Sequence, residues 1–399
     1  MTTPLKAPNK AGSTGNAPPP AAPYPFPVGV YESLVQDYDN TIPLGTTVGT
    51  WTTLIQAPLW NVSPTGWLRG LWFDFTVTVA GNAATPTLKE DGPWSLVQRI
   101  TLYDLGGVAV MQLSGYEWMV INKFGGYFEV GDPRADLTFS VTAGSGAAAG
   151  SFHFILYLPF EVVIRDALGT VQNESKPGWK VEIYLDTAAN VYTVTPTAAG
   201  TASLRLRGFP NSYTEPASAA PSGRAFSQSP PLPGTLQYWK SENNALPSGT
   251  AKYDVSNGMG YPVRNAIFYV KDAGTGSRAT ADANWPDPAT LLLGNVNLFT
   301  RSKNLWISLL SKGYGYTSVG ATVPAADSAL GRENGVFPYW LTSDMASHPG
   351  DELRFKYLDT QVNTLLRFTG SFGGTVTFFV LMNWLATPSK NRYSLIAGS

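Results

Sequence analysis

Apolar and polar residues alternate along much of this chain in short segments. The longest, Trp67 to Val79 (W-L-R-G-L-W-F-D-F-T-V-T-V), puts Leu71, Phe73, Phe75, Val77 and Val79 on one face and Asp74, Thr76 and Thr78 on the other. That is the pattern of a strand with one packed side. Further first-half strands are predicted at Thr46 to Ile55, Ser95 to Asp104, Val108 to Leu113, Leu137 to Thr142, Ser151 to Phe160, Trp179 to Asp186 and Ala202 to Gly208. In the second half the strand segments are Leu236 to Trp239, Ala251 to Val255, Val263 to Lys271, Leu305 to Leu310, Phe337 to Leu341, Glu352 to Leu358, Val362 to Phe368 and Thr375 to Leu385. Most are β-branched or aromatic and bounded by Gly, Pro, Asn or Asp, as in a sandwich or barrel.

One segment breaks the alternation. Ser114 to Phe124 carries Tyr116, Met119, Val120 and Phe124 at helical spacing and is closed by Gly125-Gly126, so a short helix is predicted there. A second helix is predicted over Ala325 to Arg332, ahead of Gly335, at roughly the same place in the second half. The fold expected is all-β: two tandem eight-stranded jelly-roll barrels, each with a short helical insertion.

The chain divides accordingly. Residues 1–27 are too rich in Pro, Ala and Gly to bury a core and form a Pro-rich arm, flexible or polyproline-like, that Tyr24 and Phe26 would anchor if it orders in an assembly. Residues 28–209 form the first barrel, the Pro- and Ser-rich stretch 210–233 a linker, 234–386 the second barrel and 387–399 a C-terminal arm. At 399 residues the chain exceeds what one hydrophobic core usually serves.

Composition adds a constraint on surfaces. Charged residues make up 14% of the chain against about 25% in an average soluble protein, while apolar residues reach 43%. So little charge suggests that partners cover much of the exterior. A net charge of −1 gives no general attraction to nucleic-acid phosphates or anionic lipid. No apolar run is long enough to span a bilayer, and the N-terminus lacks a secretory pattern, so the chain reads as soluble and unprocessed.

Candidate chemistry is sparse. Zero cysteines remove disulfides, thiolate nucleophiles and thiolate metal sites. Of the two histidines, His153 sits opposite the apolar face of a strand, and His348 lies in Ser347-His348-Pro349-Gly350-Asp351, a grouping without any G-x-S-x-G elbow. Gly313-Tyr314-Gly315 does not continue into a nucleotide-binding spacing, and no phosphate-binding loop occurs. Asp132 and Asp136, beside Pro133-Arg134, suit a solvated turn better than a Ca²⁺ loop. Asn61 and Asn173 stand in glycosylation sequons, which matter only in a host that glycosylates. The chain is therefore read as not an enzyme, with no catalytic, cofactor-binding or metal residues assigned. Its aromatics (12 Trp, 19 Tyr, 19 Phe) exceed what two cores need on average, and Trp60, Trp239, Trp285 and Trp340 are candidates for subunit contacts.

Three stretches carry a family resemblance. Asp91 to Asp104 (D-G-P-W-S-L-V-Q-R-I-T-L-Y-D) with Ser114-Gly115-Tyr116, then Phe152 to Phe160, then Leu330 to Phe337 (L-G-R-E-N-G-V-F) resemble, in order, motifs of tectivirus major capsid proteins. The chain departs from that family's better-known members, which begin with a helical segment near the internal membrane, by beginning with its Pro-rich arm. The resemblance implies a double jelly-roll coat protein. Its homotrimers, pseudo-sixfold in outline, would tile the icosahedral shell of a membrane-containing double-stranded DNA phage, assembled in the host cytoplasm and located in the virion. Implied partners are neighbouring trimers, vertex and minor capsid proteins and the internal viral membrane, without sequence-specific nucleic-acid binding. The principal alternative is a carbohydrate-binding jelly-roll protein that stacks sugars on exposed Trp and Tyr; a receptor-binding spike would show fibrous repeats that are absent from the sequence.

Overall fold

In the computed structural model the described residues are 21–45, 51–125, 133–144, 146–162, 167–174, 178–314, 332–341 and 357–386. The Gly66–Thr78 strand forms as its alternation requires: Leu71, Phe73, Phe75 and Val77 are fully buried, and Trp72, Asp74 and Thr76 face outward, half-buried. It pairs antiparallel with Phe152–Pro159 on one side and Ser203–Tyr213 on the other, and Tyr38–Pro43 lies beyond Ser203–Tyr213. The facing sheet runs from Ile55–Gln56 and Trp60–Asn61 through Lys180–Leu185 and Val97–Tyr103 to Ala109–Leu113.

The second barrel is wound the same way. One of its sheets orders Leu236–Leu246, Val376–Ala386, Pro262–Asp272 and Val336–Trp340; the other orders Gly249–Val255, Leu366–Phe372, Ala289–Leu293 and Val296–Arg301. Counted along the chain over its main strands, each barrel places the first beside the eighth, the eighth beside the third and the third beside the sixth. The second lies beside the seventh, the seventh beside the fourth and the fourth beside the fifth. This is jelly-roll winding, in duplicate. A helix follows the fifth strand in both barrels, Gly115–Phe124 in the first and Lys303–Tyr314 in the second. Each barrel has its own core, built around Phe73, Phe75 and Phe154 in one and Phe268, Phe368 and Phe378 in the other. No described helix is long and apolar enough to cross a membrane.

Several local expectations change. Leu305 to Leu310, expected as a strand, lies inside the Lys303–Tyr314 helix. Its short apolar run is ambiguous by periodicity alone, and the helix is decided by Ser302, whose Oγ accepts from Leu305 N at 3.3 Å, and by Trp306 and Leu310, one turn apart and both buried. The Ala289–Leu293 and Val296–Arg301 hairpin was not anticipated. Its two-residue turn, Gly294-Asn295, uses a left-handed Gly294 (φ 56°), a recognised hairpin signal. Pro210 to Tyr213, expected in the linker, are the end of the Ser203–Tyr213 strand. Residues 46–50 of the predicted strand Thr46 to Ile55 lie outside the described residues, and of 51–55 only Ile55 is in a strand. Residues 325–331 of the second predicted helix, 352–356 of a predicted strand and the arm 387–399 also lie outside them.

Tyr24 and Phe26 find partners within the chain itself rather than waiting for an assembly. Tyr24 makes a parallel bridge to Phe226 and sits under the Arg224 guanidinium at 4.0 Å. Phe26 is buried against Trp67 and Tyr213 at ring distances of 5.6 and 6.0 Å.

Candidate functional site: the seam between the two barrels

Among the described residues an extended polar network lies where the barrels meet. It begins at the Gly115–Phe124 helix, whose start is a reciprocal capping box: Ser114 Oγ accepts from Glu117 N, and Glu117 Oε2 accepts from Ser114 N at 2.8 Å. Glu117 then reaches across the seam, because its second oxygen accepts from the Tyr269 hydroxyl at 3.2 Å. Gly115 is required by space. A Cβ there would lie 2.3 Å from the Trp94 carbonyl oxygen and 2.7 Å from Val97 Cβ, so the glycine lets the helix start rest on the turn before the Val97–Tyr103 strand.

The next layer is ionic. Arg278 opens a short helix of the second barrel and is 1% exposed. Its Nε donates to Asp91 Oδ1 at 2.7 Å, its Nη1 donates to Glu333 Oε2 at 3.3 Å and to the Asn334 carbonyl at 3.0 Å, and its plane lies 4.7 Å from the Tyr116 ring. Lys271 ion-pairs with the other Asp91 oxygen. Glu90 of the first barrel accepts from the backbone N–H groups of Arg278 and Ala279 at 2.6 and 2.8 Å, capping that helix from outside its own barrel. Glu333, 1% exposed, also receives Lys123 and Arg134 of the first barrel, each at 3.1 Å.

These charges are matched. Burial pulls the Glu333 carboxyl upward, but Lys123, Arg134 and Arg278 together outweigh it and hold it down at about 2. Burial likewise opposes ionisation of Asp91, and Arg278 and Lys271 override it, leaving its carboxyl below the ordinary range. Tyr269 is pushed well above its ordinary value by burial and by the Glu117 charge. At the far end of the seam Gln237 Nε2 donates to the carbonyls of Phe160 and Glu161 at 3.1 and 3.0 Å, so strand ends of both barrels are tied. Burial raises the Glu161 carboxyl to about 7 against the opposing pull of Arg69.

Of the three stretches that carried the family resemblance, the second reaches the far end of the seam, where the Phe160 carbonyl meets Gln237, while the first and third converge on Arg278 through Asp91, Tyr116 and Glu333. Their proximity depends on Arg278 and Lys271, which sequence reasoning did not single out. The capping box S-G-Y-E was the available signal for Glu117; Arg278 offered none.

Other candidates take structural places. His153 Nε2 lies 3.1 Å from Asp74 Oδ1 on the outer face of the first barrel, beside the Arg207 ion pair with the same carboxylate. Asp136 is exposed, and Asp132, Ser347, His348 and Asp351 lie outside the described residues. Trp60, Trp239, Trp285 and Trp340 are at most 9% exposed, so they do not supply the subunit contacts expected of them. Trp285, for example, stacks on Phe337 at 3.9 Å in the second core. Among the described residues no group of three or more His, Cys, Asp or Glu side chains is placed to hold a metal.

Neither a protein-family model nor any curated protein matches the chain in sequence. Solved structures match it in shape. The MCP of STIV, the Sulfolobus turreted icosahedral virus, aligns over 93% of this chain and 99% of its own at 14% identity, with a TM-score of 0.53. A chain of the PBCV-1 virus capsid aligns over 89% of this chain and 93% of its own at 11% identity, with a TM-score of 0.50. The fold is a double jelly roll. In this double jelly roll the seam is what converts two barrels into one block: the first barrel's core cluster continues without a break into Trp239, Ile267, Tyr269 and Leu381 of the second.

Proposed function

We propose that the chain is the major coat subunit of an icosahedral, membrane-containing double-stranded DNA virus of the tectivirus kind, working as a homotrimer whose six barrels present a pseudo-hexagonal outline. The observation that carries this reading is the match of both barrels, over nearly their whole length, to capsid structures. The seam supports it physically. A shell subunit must hold its shape under crowding by its neighbours, and apolar continuity plus a matched ionic cluster resists shear between the barrels. The central strand edges of each barrel are paired within it, which suppresses uncontrolled edge-to-edge association.

In this reading the subunit works by tiling and not by catalysis. Its partners are neighbouring trimers, vertex and minor capsid proteins and the membrane beneath, its place is the virion, and it is assembled in the host cytoplasm. The first barrel, ending with the Ser203–Tyr213 strand, and the second, beginning with Leu236–Leu246, act as two tiles joined by the segment between those strands. The test is electron microscopy of particles from the native source with antibody against this chain. Decoration of every facet of an icosahedral shell is expected; label restricted to vertices, or absent from particles, would overturn the reading.

A further inference from the structure

The N-terminal arm lies on the first barrel through two side chains, and both rest on residues that touch one buried carboxyl. Glu32–Leu34 pairs antiparallel with the end of Ser203–Tyr213, with Glu32 opposite Tyr213. Glu32 Oε1 lies 2.5 Å from Arg69 Nη1, and Phe26 packs edge-on against Trp67 and Tyr213. Arg69 also donates from Nε to Glu161 Oε2 at 2.8 Å, the Tyr213 hydroxyl donates to Glu161 Oε1 at 3.3 Å, and the guanidinium lies 4.7 Å from the Tyr213 ring. The Glu161 side chain is 4% exposed and that of Glu32 56%. One guanidinium thus serves two carboxylates, one inside the barrel and one on the arm.

We propose that the arm is a proton-controlled strap: it stays seated on Arg69 and Tyr213 while Glu161 holds its proton, and it loosens when Glu161 ionises. The cause is competition for Arg69. With Glu161 neutral, Glu32 is the counter-ion of the guanidinium and the arm strand is held. With Glu161 charged, Arg69 has a counter-ion inside the barrel, and keeping Glu32 beside it sets two like charges on one cation. Linkage requires the reverse as well: seating Glu32, and covering Tyr213 with Phe26, must favour the protonated form of Glu161. The inference goes beyond the coat-subunit reading and stands without it.

The groups around Glu161 act in that sense. Burial raises its carboxyl to about 7; Arg69 and the Tyr213 hydroxyl pull it down, and Glu32 pushes it up. From the second barrel Gln237 and Arg264 meet the backbone carbonyls of Glu161 and Val162 at 3.0 and 3.4 Å, so the segment is anchored while its carboxyl faces Arg69 and Tyr213. Because the folded value lies above the ordinary 4.5, the stabilisation belongs to the protonated form and is lost as pH rises through about 7. The arm is therefore seated at pH 6 and loosened at pH 8. A second acidic group lies beside Trp67: the Glu215 carboxyl is raised by burial and by Glu174, not by Arg69, and serves as the control.

The chain has no cysteine, so a spin label on Val28→Cys, an arm position 62% exposed, reports the arm alone. In the full chain the mobile fraction of the label is expected to rise about fivefold from pH 6 to pH 8, the ratio that a difference of about 0.7 in pKa between the seated and the free arm produces. Glu161→Gln, which fixes the neutral form, is expected to keep the label immobile throughout. Glu32→Gln, at an exposed side chain, must be more mobile than the parent at pH 6 and rise less, and it carries the test should Glu161→Gln fail to fold. Glu215→Gln is expected to keep the full rise. A parent whose label is the same at pH 6 and pH 8, a rise that persists in Glu161→Gln or is undiminished in Glu32→Gln, or one abolished by Glu215→Gln would overturn the strap and leave the coat reading untouched.

Discussion

Arg278 of the second barrel donates from Nε to Asp91 Oδ1 of the first at 2.7 Å, with both side chains withdrawn from solvent. Around this contact Glu333 gathers Lys123, Arg134 and Arg278, so one carboxylate answers three cations. Removing it strands buried positive charge from both barrels. Glu333→Ala is expected to cost about 3–5 kcal/mol in chemical denaturation. A loss below about 1 kcal/mol would mean that the cluster does not hold the seam.

Acid should open the same contact from the other direction. Glu333 titrates at about 2 in the folded chain against an ordinary 4.5, so the folded form binds its proton less readily than the unfolded one. Its stabilisation is complete above 4.5 and disappears as pH falls toward 2. Glu161 has the opposite sign. Its folded value of about 7 lies above 4.5, so its contribution is present below 4.5 and is lost as pH rises through 7. Glu161→Gln should therefore remove a slope approaching 1.4 kcal/mol per pH unit between pH 5 and 7, measured by urea midpoints across that range. An unchanged slope would contradict the assignment.

Gly115→Ala tests whether the helix start has room. A methyl group 2.3 Å from the Trp94 carbonyl must displace backbone, and overpacking of this kind costs about 1–3 kcal/mol. Reduced thermal stability with unchanged far-UV circular dichroism is expected; a neutral result would show that the turn yields freely.

Trp306→Ala probes the helix of the second barrel. Trp306 is fully buried, donates from Nε1 to the Pro338 carbonyl at 3.0 Å and touches Phe268, Trp285, Phe299 and Phe337. The cavity and the orphaned carbonyl together should cost about 3–5 kcal/mol. Ser302→Ala removes only the cap and should cost about 1 kcal/mol. Denaturation that ranks the two in the reverse order would contradict the packing described.

What the sequence revealed depended on how local the cause was. Gly66–Thr78 and Gly115–Phe124 were legible because alternation and helical spacing are written within a dozen residues. Lys303–Tyr314 was misread as a strand because L-W-I-S-L-L satisfies either period, and the deciding Ser302 cap is a weak local signal. Trp60 and Trp239 were candidates for subunit contacts, but both are buried within the chain's own core. The seam was the least legible part. Asp91 and Glu333 stood in recognisable stretches, but Arg278 connects them only after both barrels have formed, so nothing in its neighbourhood along the chain announces the role.

The central claim, that this chain builds shells from copies of itself, is tested most directly by the mass of the purified protein. Light scattering behind a sizing column at micromolar concentration should return three times the 42.9 kDa of one chain. A particle of 42.9 kDa that persists throughout the micromolar range would contradict the account.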